Sequence, residues 1–419
     1  MSNDSSQTPG AGTDATGEID VIGTTGTTSG INATGETDTT DATGETDVLE
    51  LVVEPATENA PRARTPRVAG SVAAIAVVAA GAIAIGAANS SAGPRPSAAD
   101  QVSHAVPAAA VGAAGYQVYV AAAGGYAVAT FNTHTGTQGP TYGTDSAMGI
   151  ALSPDHSTLY AANTGQYGVL AFDVATKKST TIQVGAYPQD VAVAPDGKTV
   201  YATVTGGDTG PGGSNTVAVI DAGTDKVVST ITVGSAPRRI VLSADGKRAY
   251  VGTGQGVWIV DTATRRTVGV VHTPSDVQGL ALSPDGSQLY ATAPDEDEVL
   301  VISTRDASVR HTFKAGAEPW SVGVLPDGSK LYVADINSNS VSVLDAHTGR
   351  TTAAITVGSL PTAIGVTPDG TQVWVGNTLS GSVSVIDTAS GKVVSTIPGG
   401  PGTSALNDAP TDIVFGPAS

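Results

Sequence analysis

Few side chains in this 419-residue sequence stand together as a reactive set. Six histidines (His104, His134, His156, His272, His311 and His347) are scattered, and no two have the spacing of a metal-binding or acid–base pair. No serine occupies the G-x-S-x-G turn that raises a hydrolase nucleophile. The chain has no cysteine, which removes disulfides, thiolate zinc sites, iron–sulfur clusters and covalently attached haem. Gly252-Thr253-Gly254-Gln255-Gly256 imitates a phosphate loop, but strand-like runs flank it and no helix follows, so it reads as a turn. Asp335-Ile336-Asn337-Ser338-Asn339 supplies the first three oxygen positions of an EF-hand loop. Ser340 stands where that loop needs Gly, and Ala346 where it needs a bidentate Glu. Asp295-Glu296-Asp297-Glu298 reads as a solvated acidic loop. These patterns call for no metal and no cofactor. What remains is Arg238-Arg239, directly after Pro237, in a region that is otherwise acidic. An arginine fork recognises carboxylate or phosphate and stacks on aromatic rings, and Trp320 holds the equivalent position two repeat units on. The set reads either as a seat for an anionic or planar ligand or as arginines paired with nearby acids beside a tryptophan packed between units.

The elements that must position these residues form a repeat. An aromatic recurs among small residues at Tyr119 (VYVAA), Tyr160 (LYAAN), Tyr201 (VYATV), Tyr250 (AYVGT), Tyr290 (LYATA), Tyr332 (LYVAD) and Trp374 (VWVGN). Most copies follow a tight-turn signal such as Pro195-Asp196-Gly197 or Pro368-Asp369-Gly370, where glycine accepts the positive φ a hairpin needs. Each unit reads as four strands, and the third closes on an acid in most copies, as at Asp221, Asp261, Asp345 and Asp387. A four-stranded unit of about 42 residues is a propeller blade. The first unit lacks its first strand and begins at Tyr116, while the C-terminus supplies an orphan strand, Pro410 to Phe415. Joining them in a composite blade closes the ring and removes exposed sheet edges. The expectation is all-β: a seven-bladed β-propeller over 115–419.

The sequences LYAAN, LYVAD and VWVGN, each after a Pro-Asp turn, resemble the YVTN family of β-propeller repeat proteins, which includes bacterial surface-layer-type propellers. The resemblance covers essentially all of 115–419. It implies the fold more firmly than a chemistry, because that family contains binding and scaffold proteins and its relatives include haem-, quinone- and lactone-handling enzymes.

In a propeller the fourth-to-first and second-to-third connections share one face around the channel mouth. Tyr187, Gln189, Arg238, Arg239, Trp320, Asp335 and Asn377 fall there and are the candidate ligand-binding residues. No catalytic residues are assigned. An insertion, Gly206 to Asn215, lengthens the same face.

Ahead of the propeller the composition changes twice. Residues 1–61 form an acidic, Thr/Gly-rich tail that repeats Ala-Thr-Gly-Glu and is too polar to build a core, so disorder is expected. Val68 to Ala88 is uncharged and long enough to span a bilayer as a helix. Arg62, Arg64 and Arg67 precede it, so 62–88 is read as a signal anchor with a cytoplasmic N-terminus. Residues 89–114 read as a Pro/Ala/Ser linker. The net charge of −18 excludes a basic nucleic-acid footprint. The expected protein is a single-pass, extracytoplasmic binding module at the cell surface, with a protein, glycan or small molecule as partner. The alternative is a propeller enzyme with lactonase- or lyase-like chemistry at the channel mouth.

Overall fold

The computed structural model describes residues 115–133, 137–206, 215–398 and 409–417. The tail, the anchor and the linker lie outside the described residues, as does most of the insertion between Gly206 and Asn215. The described strands form seven separate four-stranded antiparallel sheets. Blade 2 begins at Ala147–Leu152, blade 3 at Pro188–Val193, blade 4 at Ile240–Leu242 and blade 5 at Leu280–Leu282. Blades 6 and 7 begin at Pro319–Val324 and Pro361–Val366. Blade 1 is composite. Tyr116–Ala122 pairs with Ala127–Asn132 on one edge and with Pro410–Pro417 on the other, Tyr119 facing Val414. The two ends of the domain thus share one sheet. First strands of neighbouring blades touch around the ring, so they are the innermost strands and form the channel wall.

The turns explain the repeat's punctuation. Between first and second strands, the amides of Gly197, Gly246, Gly286, Gly328 and Gly370 close onto the carbonyl three residues back. Their φ values lie between 69° and 71°, which glycine adopts without penalty. The aspartate before each glycine accepts from the amide two residues on, which fixes the turn. After the third strands, Asp221, Asp261 and Asp345 accept from the amide and hydroxyl of a threonine three residues later. The closing acids are therefore turn-formers, and their charge is spent on local donors.

The repeated aromatics glue blade to blade. Seven core clusters lie between consecutive blades, and each contains the aromatic of one blade packed on aliphatics of the next: Tyr160 on Val191 and Val200, Tyr250 on Leu289, Tyr290 on Val322 and Leu331. At the closing interface Trp374 replaces Tyr, is fully buried, and lies 6.4 Å from both Phe131 and Phe415. Its Nε1 donates to Gln372 Oε1 at 3.0 Å, just as the Tyr290 hydroxyl donates to Gln288 at 2.8 Å.

Candidate functional site at the upper channel mouth

Each first strand enters the ring through a tight turn on the face defined above, here the upper face. The residue just before the strand's leading proline is left-handed at Tyr187, Ala236, Glu318, Leu360 and Ala409. That kink delivers the next residues to the rim of the channel. One position past the proline stand Gln189, Arg238, Trp320, Thr362 and Thr411, and two past it stand Asp190, Arg239, Ser321, Ala363 and Asp412.

Arg239 reaches from blade 4 across the ring. Its Nη1 lies 2.9 Å from Asp412 of blade 1 and 3.5 Å from Asp190 of blade 3. Gly149 holds the corresponding position in blade 2, which the guanidinium passes, and a side chain there would strike the Asp190 carboxylate. The second oxygens of the two aspartates accept amides from the following blades, Asp190 from Ile240 and Asp412 from Ile150, both at 2.9 Å. All three side chains are largely withdrawn from water, with 21% of Arg239, 7% of Asp190 and 10% of Asp412 exposed. Burial pushes the Asp190 carboxyl up, Arg239 pulls it down, and Asp412 pushes it up again, leaving it at about 7. Burial works against the Arg239 charge, but the two carboxylates more than restore it. This triad ties blades 1, 3 and 4 into a clasp across the channel.

Arg238 is placed differently. Its guanidinium carbon lies 6.0 Å from the centroid of the Trp320 ring, which belongs to blade 6. Its Nε is buried without a hydrogen-bond partner, and among the described residues no carboxylate forms an ion pair with it. Burial draws its pKa down, opposed by Asp276, yet an arginine at such a site remains a cation. A cation over an indole, with a donor left unpaired, suits a planar or anionic group.

The other predicted residues sit apart from this pair. Gln189 folds back onto the Tyr187 carbonyl at 3.2 Å. Tyr187 is 42% exposed and packs edge-on against Tyr167, with ring centroids 5.6 Å apart. Asp335 and Asn377 have no exposed surface. Asp335 accepts from Gly316, from Ser342 N at 3.0 Å and from Ser342 Oγ at 2.6 Å, and Asn377 donates to Ser382 and Ser384. Both brace their own blade, a role that Asn163 repeats by accepting from the Ser146 amide. The calcium-loop pattern starting at Asp335 is therefore committed to backbone support. Among the described residues no group of three His, Asp or Glu side chains could hold a metal ion. Asp190, Asp412 and Gly149 were not singled out from sequence. Their signal was the register: aligning the first strands puts Asp412, Gly149, Asp190, Arg239 and Gly279 at one position.

Fold and sequence comparisons agree on the class of protein, a β-propeller. The YNCE-like beta-propeller family matches residues 255–410, the arc from blade 4 to the closing strand. No curated protein matches the chain. Solved structures match in 1608 chains, as expected of an architecture shared among many activities. One is Kuenenia stuttgartiensis hydrazine synthase, with a TM-score of 0.58 and 22% identity over 64% of this chain and 91% of that one. At that identity the likeness is one of fold alone.

Proposed function

We propose that the chain is a membrane-tethered, extracytoplasmic binding propeller of the YVTN repeat type, with its ligand seat at the upper channel mouth. The observation that carries the seat is Arg238, lying on Trp320 with no paired carboxylate, beside an Arg239 that is fully committed. The ligand class is a planar group bearing an acid. The tether rests on the uncharged run Val68 to Ala88 behind Arg62, Arg64 and Arg67. The cell-surface location rests on the same charge asymmetry.

The seat is tested by titrating the full chain with 2-naphthoate and following binding by calorimetry. Replacing Arg238→Ala is expected to weaken binding at least tenfold, and Trp320→Ala to weaken it several-fold, without altered melting. Equal affinity in both variants removes the upper mouth from consideration. The tether is tested by alkaline extraction of membranes from cells producing the full chain. Retention in the membrane, lost on deleting 68–88, is expected; recovery of the intact chain in the soluble fraction rejects it.

A further inference from the structure

Among the described residues three large aromatic side chains are exposed: Tyr126 at 53%, Tyr167 at 48% and Tyr187 at 42%. All three stand on the upper face, on neighbouring blades. Tyr126 and Tyr167 close the second-to-third turns of blades 1 and 2, and Tyr187 leads into the first strand of blade 3. None of them belongs to the clusters that pack blade on blade. A single exposed ring needs no explanation, whereas three along one arc form a surface.

The repeat shows what these positions ordinarily do. The residue before the third strand is left-handed in six blades, at Tyr126, Tyr167, Asn215, Asp297, Asn339 and Gly381, with φ between 51° and 61°. Asn, Asp and Gly enter that conformation at little cost, and a bulky side chain does so rarely. In three blades the side chain there bonds the next blade. Asn215 Oδ1 accepts the Ala236 amide, Asp297 Oδ1 the Glu318 amide and Asn339 Oδ1 the Leu360 amide, each at 2.9 Å. The donor is the left-handed residue before the leading proline, and the counterpart that follows Tyr167 is Tyr187. Blade 2 and its neighbour therefore set a tyrosine at each end of a bond that their sisters make. The two rings meet edge to face instead, with centroids 5.6 Å apart and planes at 77°. The exchange gives up an acceptor and gains exposed aromatic area, a pointer to function.

The groups around the rings narrow the ligand. Thr144 donates its amide to the Tyr126 carbonyl at 2.8 Å, and Asp145 beside it lies against Gly165. Tyr126, Asp145 and Tyr167 thus follow one another along the rim. Gln166 and Gln183 are exposed, the first accepting from Thr181 at 3.4 Å and the second standing opposite Gly168. The segments that build this arc, 123–126, 143–146, 164–168 and 183–189, hold one charged residue, Asp145, and no Lys or Arg. An anion finds no partner in them. Carboxamides both donate and accept, as hydroxyl groups require, and a carboxylate accepts from two adjacent hydroxyls. Aromatic rings cover the C–H face of a sugar while leaving its hydroxyl edge to such groups.

We propose that the arc of Tyr126, Tyr167 and Tyr187 binds a neutral oligosaccharide. Its sugar rings rest on Tyr167 and Tyr187, and Gln166, Gln183 and Asp145 take the hydroxyl edges. The site is separate from the Arg238–Trp320 seat and does not rest on the reading given for it.

The test is saturation-transfer NMR on the full chain with cellotetraose, maltotetraose and chitotetraose as separate probes, followed by titration of the tightest. Transfer is expected to at least one of the three, strongest on ring C–H protons. Tyr167→Ala and Tyr187→Ala should each weaken its binding at least tenfold. Tyr167→Asn, which restores a sister-turn residue, should weaken it as much while the protein melts no earlier, so that lost binding is not lost fold. Tetragalacturonate, which carries carboxylates, should bind at least tenfold more weakly. Transfer to none of the neutral sugars, unchanged affinity in Tyr167→Asn, or tighter binding of tetragalacturonate overturns the proposal. So does displacement of the sugar by choline at lower concentration than by the sugar itself, since the rings and Asp145 would then form a seat for a cation.

Discussion

Arg239 shows how one side chain can be both the most predictable and the least transparent in a sequence. As half of an arginine pair at a channel mouth it is legible from residue type and blade register. Its partners are not, because Asp190 and Asp412 come from blades separated by 49 and 173 positions in sequence and meet only when the ring closes. Removing the cation should leave two carboxylates buried together. Arg239→Met is expected to destabilise the fold by about 3–5 kcal/mol at pH 8, read by denaturant titration, and by distinctly less at pH 5, where Asp190 is protonated. Asp190→Asn should instead flatten the fall in stability between pH 5 and 8. Asp335 and Asn377 teach the converse lesson. A polar residue at the end of a second strand looks like a ligand-facing group in sequence, but the backbone amides and hydroxyls beside it need acceptors and donors, and the blade takes it inside.

The blade was readable almost in full, because its determinants are local. Asp-Gly turns, period-two alternation and a recurring aromatic each act within a few residues, and repetition makes each copy corroborate the others. The exceptions within the repeat are where element-scale predictions lie. Trp374 fills the closing interface with a larger ring than its six tyrosine sisters. Trp374→Ala should cost about 3–5 kcal/mol. Trp374→Tyr should cost less, about 1–2 kcal/mol, since Gln372 Oε1 waits to accept the hydroxyl as Gln288 does for Tyr290. Chemical denaturation of the pair of variants checks the ordering. At the turn of blade 2, His156→Gly should stabilise the protein by about 0.5–1 kcal/mol by relieving a left-handed non-glycine residue. A fall in melting temperature would show that the imidazole contributes to packing.

For the whole molecule, two sets of carboxylates pull stability in opposite directions with pH. Asp190 at about 7 and Asp335 at about 6 keep protons in the folded chain that an ordinary carboxylate releases near 3.8. Their stabilisation is complete below that value and is lost as pH rises through 6 and 7. Asp155, Asp245, Asp261 and Asp285 are drawn down to about 2 by hydroxyl and amide donors, so what they contribute is lost as pH falls from 3.8 towards 2. The melting temperature is expected to peak near pH 4–5 and to decline on both sides. A maximum at pH 7 or above, in a pH series by calorimetry, contradicts the buried assignment of Asp190. The composite first blade has a mechanical corollary. Tyr116–Ala122 is hydrogen-bonded along both edges, and its beginning lies beside Pro417, at the end of the strand away from the upper mouth. A pull through residue 115 in line with that strand loads both ladders in shear. Such a pull would have to break both ladders together instead of peeling them one bond at a time. The strand onto which the C-terminal strand closes the ring is thus also the one that would bear a load between the propeller and whatever holds its N-terminal side.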